Sequence, residues 1–164
     1  MKVGIVGYGV VGKTRFHSIV KNTPYKVTAI SENNSIARKD IPKNIVVFED
    51  YQSLIEQSNV DIVFISLPNK FAANATVLSL KKGLHVFCEK PPARTLAELE
   101  EVLLVSQQHP GLKLMYGFNH RFHHSVEEAK LIIEENSLGR LINMRGVYGK
   151  SQMISFNQSD WRTR

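Results

Sequence analysis

The stretch Val3 to Gly12, V-G-I-V-G-Y-G-V-V-G, decides how the rest of the chain is read. A short apolar run ends in Gly7, Gly9 and Gly12 at G-x-G-x-x-G spacing, and an apolar-periodic segment follows, so the glycines stand where a strand would turn into a helix. Each glycine then has a physical reason. Gly7 permits the tight turn, Gly9 lets the backbone approach a pyrophosphate with no Cβ in the way, and Gly12 lets the helix pack closely on the strand. Free N–H groups at the positive end of that helix would meet the phosphates, which makes Gly7, Tyr8, Gly9, Val10, Val11 and Gly12 candidate dinucleotide-binding residues.

The same chemistry asks for an acidic side chain about 20 residues further on, at the tip of a second strand, to accept from ribose hydroxyls. Glu32 meets that requirement, directly after the apolar-rich run Lys26 to Ser31. A carboxylate there also repels a 2′-phosphate, so the expected cofactor is NAD rather than NADP. Ser31, Asn33 and Arg38 are possible phosphate donors that would soften the preference.

Composition sets the frame. The 164 residues suffice for one buried core, and 43% apolar with 22% charged residues is ordinary for a globular protein. No apolar run approaches the ~20 residues of a membrane span and the N-terminus lacks the features of a signal peptide, so a cytoplasmic protein with no membrane partner is expected. The single cysteine, Cys88, excludes a disulfide within the chain. The formal charge of +6 comes from scattered Lys and Arg with no long basic run, which favours small anionic ligands over nucleic acid.

Along the chain, strands and helices alternate. A helix over Val10 to Val20, with Phe16, Ile19 and Val20 on its buried side, ends before Pro24. Lys26 to Ser31 is the second strand, 35–43 an irregular or weakly helical link, and Ile45 to Phe48 the third strand. Asp50 caps a helix through Leu54 and Ile55. Asp61 to Ser66 reads as a strand buried on both faces. A helix from about Lys70 stops at Lys81-Lys82-Gly83. His85 to Cys88 is the fifth strand. Thr95 and Glu98 form a capping box for a helix whose apolar face includes Leu96, Leu99, Val102 and Leu103, and Lys113 to Phe118 is the sixth strand.

This order predicts an α/β fold, a doubly wound parallel sheet of the NAD(P)-binding Rossmann type, with its ligand crevice at the carboxyl ends of the strands. Gly7, Glu32, Leu67, Pro68, Asn69, Glu89, Lys90 and Asn119 all fall at or beside such ends and are grouped as one site. Residues 1–120 are expected to form the dinucleotide-binding domain. Residues 121–164, read as a helix around Phe122 to Ile133, a strand over Arg140 to Tyr148 and a polar, turn-rich end with Trp161, are expected to begin an α+β second domain.

The glycine turn, Asp61-Ile-Val-Phe-Ile-Ser-Leu-Pro-Asn69, Gly83-Leu-His-Val-Phe-Cys-Glu-Lys-Pro91, Gly117-Phe-Asn-His-Arg-Phe122 and Leu138-Gly-Arg140 together resemble the glucose-fructose oxidoreductase and inositol dehydrogenase family, Gfo/Idh/MocA. The resemblance implies an NAD(P)-dependent oxidoreductase acting on a sugar, polyol or nucleotide sugar. It implies that Lys90 is the active-site lysine beside the nicotinamide and that its bond into Pro91 is cis. It also implies a longer protein, because the family's G-G-G-x-L-x-D-x-G-x-H segment with its catalytic histidine would begin soon after Trp161. Where relatives often carry a histidine after the Leu67-Pro68-Asn69 segment, this chain has Ala72. The competing reading is a dinucleotide-binding sensor or regulator that keeps the fold without the chemistry.

His120, His123 and His124 share helical spacing, but the sequence identifies no further ligands converging on them, so no metal is expected. Cys88 reads as a small core residue. An unpaired strand edge after Phe118 predicts self-association, most simply as a homodimer.

Overall fold

The structure is a computed structural model and describes residues 1–147. Six parallel strands, β1 (Lys2–Val6), β2 (Lys26–Ser31), β3 (Val46–Phe48), β4 (Ile62–Ile65), β5 (His85–Cys88) and β6 (Leu114–Tyr116), lie in the order β3-β2-β1-β4-β5-β6. The order reverses between β1 and β4, the topological switch point where ligands bind in open α/β sheets. The connecting helices are α1 (Val10–Asn22), α2 (Ser35–Arg38), α3 (Tyr51–Gln57), α4 (Asn69–Lys81) and α5 (Leu96–Gln108), followed by a 3-10 turn (Asn119–Phe122) and α6 (His124–Glu134).

Alternation along the central strands divides the interior into two layers. Val3 and Ile5 of β1 join Ile19 of α1, Val27 and Ile30 of β2, and Ile41 and Ile45 in one cluster. Val6, Val63 and Ile65 face the other way, into Leu54 and Ile55 of α3, Ala72, Ala73 and Leu80 of α4, and Val102 and Val105 of α5. Both faces of the central strands are covered, which is why these strands are almost continuously apolar. Truncating one of their fully buried side chains, such as Ile5 or Ile65, to Ala would cost about 2–5 kcal/mol.

The helix ends follow the expected chemistry. Asp50 accepts from the Ser53 N–H at 2.7 Å and Asn34 from the Ile36 N–H at 2.9 Å. Thr95 accepts from the Glu98 N–H at 3.3 Å, while the Glu98 carboxylate turns back one residue further, to the Arg94 N–H at 2.8 Å and the Arg94 guanidinium. Gly83, at φ 86°, ends the α4 segment.

Three expectations need correction. Val20 is exposed, because α1 turns Gly12 and Ile19 to the sheet and Val20, about a quarter-turn round the helix, falls on the solvent flank. Leu96 and Leu103 are exposed as well, the buried stripe of α5 running through Val102 and Val105 with Leu99 half-buried beside it. The strand expected over Arg140 to Tyr148 does not form at 141–147: a strand exists through hydrogen bonds to a neighbour, and among the described residues none pairs with this segment. Tyr148 and the turn-rich end with Trp161 lie outside the described residues.

The chain divides into two compact units, Met1–Asn119 and His120–Arg164. In the second, α6 is amphipathic but none of its residues is buried. Among the described residues no helix is long and apolar enough to cross a membrane.

Candidate functional site

The glycine turn is built by close contact between backbones. Gly7 has φ 86°, and a Cβ there would stand 2.7 Å from the Ser66 carbonyl oxygen at the neighbouring end of β4. A Cβ on Gly12 would stand 2.0 Å from the Gly7 carbonyl oxygen, so α1 can cross the end of β1 only with glycine at that point. Gly9 differs from both: a Cβ on it would meet nothing within 4 Å. Its bare backbone faces open space at the start of α1, where no side chain caps the helix and no acidic residue occupies the first turn. That is a cradle a dinucleotide phosphate fits, and a methyl group at Gly9 would partly fill it.

Glu32 is tied to this turn. One carboxylate oxygen accepts from the Tyr8 N–H at 2.8 Å and the other from the Asn34 N–H at 2.9 Å. Each oxygen keeps a further lone pair, so the carboxylate can still accept from vicinal ribose hydroxyls. Tyr8 contributes its backbone; its ring is 2% exposed and packs edge-on against Phe16 at 5.9 Å, and burial raises its phenol pKa. Val10 is exposed, and Leu67, Pro68 and Asn69 run from the end of β4 into α4, with the Leu67 side chain close to Gly7. Ala72 is buried in the face of α4 that meets the sheet, so a histidine could not be exchanged for it without repacking the core.

A second group forms at the carboxyl ends of β5 and β6. Val11, Thr14, Arg15, Glu89, Lys90, Gly117 and Asn119 line a cleft of about 320 Å³. Lys90 is exposed there, and the Lys90–Pro91 peptide bond is cis. Beneath it, Arg15 donates from Nε and Nη2 to the same Glu89 oxygen at 2.7 and 2.5 Å, and its guanidinium lies 4.9 Å from the Phe87 ring centroid. The other Glu89 oxygen rests against Gly117, where a Cβ would come within 2.8 Å of it. Phe87 stacks in turn on Phe64 at 5.0 Å. Cys88 is fully buried, and desolvation pushes its thiol up to about 11.

The structure therefore brings Val11, Glu89, Lys90 and Asn119 into one cleft and places Glu32 with Gly7, Tyr8 and Gly9 along the same carboxyl edge, nearer β2. Thr14 and Arg15 were not singled out from the sequence, and Gly117 entered only as the first residue of the Gly117–Phe122 segment. The signal for the first two was present: Val11, Thr14 and Arg15 are spaced i, i+3 and i+4 and share a helix face. Among the described residues, no three His, Cys, Asp or Glu side chains are grouped to hold a metal ion. The His120 and His123 rings lie 4.9 Å apart.

Strand order, glycine cradle and strand-tip carboxylate define a dinucleotide-binding α/β domain. Residues 1–118 match the Gfo/Idh/MocA family, described as an oxidoreductase family with an NAD-binding Rossmann fold, and the chain belongs to it. It is 31% identical over 139 residues to the uncharacterized oxidoreductase YrbE of Bacillus subtilis, covering 83% of this chain and 40% of that protein. With inositol 2-dehydrogenase of Salmonella typhimurium it shares 28% over 152 residues, 89% of this chain and 45% of the relative. Scyllo-inositol dehydrogenase from Lactobacillus casei, solved with bound NAD(H) and scyllo-inositol, superposes with a TM-score of 0.78 at 31% identity over 85% of this chain and 42% of that one. The chain thus spans less than half the length of these relatives.

Proposed function

We propose that this chain is the cofactor-binding portion of an NAD-dependent dehydrogenase that acts on a hydroxyl or keto group of a sugar, polyol or nucleotide sugar. The observation that carries the reading is the pairing of an open glycine cradle at Gly9 with Glu32, whose carboxylate is oriented by the Tyr8 and Asn34 N–H groups. Gly9, Val10 and Val11 would hold the pyrophosphate, and Glu32 the adenosine ribose. When bound, the nicotinamide supplies a hydride acceptor or donor. Lys90 would hydrogen-bond the substrate oxygen and offset negative charge on it, the proton passing to water in the cleft, and Asn119, read as a cofactor-binding residue, lines the same cleft. Domain boundaries near residue 120, a cytoplasmic setting and a homo-oligomeric state belong to the same reading. Pairing of 141–147 with a second copy stays part of this reading, since among the described residues nothing pairs with that segment.

NADH titration of the chain followed by fluorescence tests the cofactor site. NADH should bind more tightly than NADPH, Gly9→Ala should weaken NADH about tenfold by crowding the phosphate, and Glu32→Arg should shift preference to NADPH. Tighter NADPH binding by the unaltered chain would overturn the assignment. For the chemistry, NAD reduction is followed with a panel of inositols, glucosides and nucleotide sugars. The protein containing this chain at the full length of its relatives should turn over at least one, and Lys90→Met should abolish turnover while weakening NADH far less. Dinucleotide binding with no turnover of any of them would favour the sensor reading.

A further inference from the structure

The end of the crevice that would receive the adenosine ribose carries more charge than Glu32 alone. Lys13, one turn into α1 from Gly9, forms an ion pair with Asp40, in the segment between α2 and β3. Its ammonium lies 5.8 Å from the centroid of the Tyr8 ring, and Tyr8 is the residue whose N–H meets Glu32. The Asp40 hydrogen bond raises the Lys13 pKa, desolvation partly opposes it, and Glu32 is the weakest of the charges that act on Lys13 at longer range. Arg38, which with Lys39 and Lys43 makes up the cations of this segment, is held by Glu49 at 2.6 Å.

A 2′-phosphate bound beside Glu32 would need a cation to offset its two negative charges. Lys13 is placed to provide one, on a flexible four-carbon stem. While Asp40 holds it, the local set of Glu32, Asp40 and Lys13 stays net negative. We propose that Asp40 is a specificity-determining residue: by engaging Lys13 it keeps a latent 2′-phosphate site closed and adds to the discrimination that Glu32 provides. The inference rests on the dinucleotide-binding reading above and goes beyond it by assigning Asp40 and Lys13.

The test measures NADH and NADPH dissociation constants by calorimetry at low salt for the unaltered chain and four variants. Asp40→Asn should tighten NADPH about fivefold and move NADH less than twofold, the scale of a partly exposed ion pair. Lys13→Met alone should leave the ratio of the two constants within about twofold, because Asp40 already occupies the lysine. Asp40→Asn combined with Lys13→Met should lose the gain, and Asp40→Glu should retain the original preference. A ratio unmoved by Asp40→Asn overturns the proposal, as does a gain that survives in the double variant, which would be simple removal of negative charge. If the unaltered chain binds NADH but the ratio does not respond, only this inference falls; if it binds neither dinucleotide, the reading of the site falls with it.

Discussion

The two ends of the crevice are held in different ways. At the glycine end, backbone rests on backbone: Gly12 against the Gly7 carbonyl and Gly7 against the Ser66 carbonyl, at separations no side chain can enter. At the lysine end, side chains hold one another, with Arg15 between the Phe87 ring and the Glu89 carboxylate, and Glu89 resting on Gly117. The first arrangement has no soft coordinate, because relieving a contact means moving β1 or α1. The second can adjust by rotating a carboxylate. One added methyl group should therefore cost very different amounts at the two ends.

The largest effect is expected from Gly12→Ala. Its Cβ would meet a backbone oxygen at 2.0 Å, so α1 must lift from β1, with a loss of about 3 kcal/mol or more and of NADH binding. Gly117→Ala presents a smaller overlap, 2.8 Å, and against the movable tip of Glu89 rather than backbone, so it should cost about 1 kcal/mol. Urea unfolding of the two variants measures the contrast directly. Equal losses, despite the smaller overlap at Gly117, would show that the lysine end yields no more readily than the glycine end.

Arg15→Met should fall between these, at about 1–3 kcal/mol, because it leaves the Glu89 carboxylate, 14% exposed, without its cation. Arg15→Lys should recover only part, since an ammonium can neither cover the Phe87 face as a guanidinium does nor donate from two nitrogens to the one oxygen. Denaturant midpoints of both variants check this. A neutral Arg15→Met would mean that Glu89 finds solvent or another partner, and that the lysine end is looser than its contacts imply.

The smallest effect concerns pH. Burial pushes Cys88 from its ordinary 9.0 up to about 11, and Tyr116 from 10.0 up to about 12. Both are acids that the fold keeps protonated, so between pH 9 and 11 the unfolded chain releases protons that the folded chain retains. Stability should decline as pH rises through that window and be unaffected by these groups below it. Cys88→Ala should flatten the lower part of the decline in thermal melts from pH 8 to 11. In the same range the folded chain should resist an aromatic disulfide reagent until denaturant is added.

Most of the fold was legible because its signals are local. Continuous apolar runs marked β1, β4 and β5, Asp50 and Thr95 marked helix starts, and Gly83 marked an end. The misreadings arose where local pattern underdetermines direction. Val20, Leu96 and Leu103 are apolar and suitably spaced, yet which side of a helix meets the sheet depends on where the sheet lies. The segment 141–147 has strand-like residues, but its conformation depends on a partner.

For the site the division is similar. The sequence by itself marked the glycines, Glu32 and the Glu89-Lys90-Pro91 segment as candidates, because their spacing along the chain expresses constraints imposed within one strand-turn-helix unit or at one strand end. Only the tertiary structure decided that Tyr8 lends its N–H to Glu32, that Lys13 is engaged by Asp40 and that Arg15 reaches Glu89. Those pairs are separated by 24, 27 and 74 positions along the chain. They meet because parallel strands bring distant segments to one edge of the sheet, a juxtaposition that no local spacing encodes.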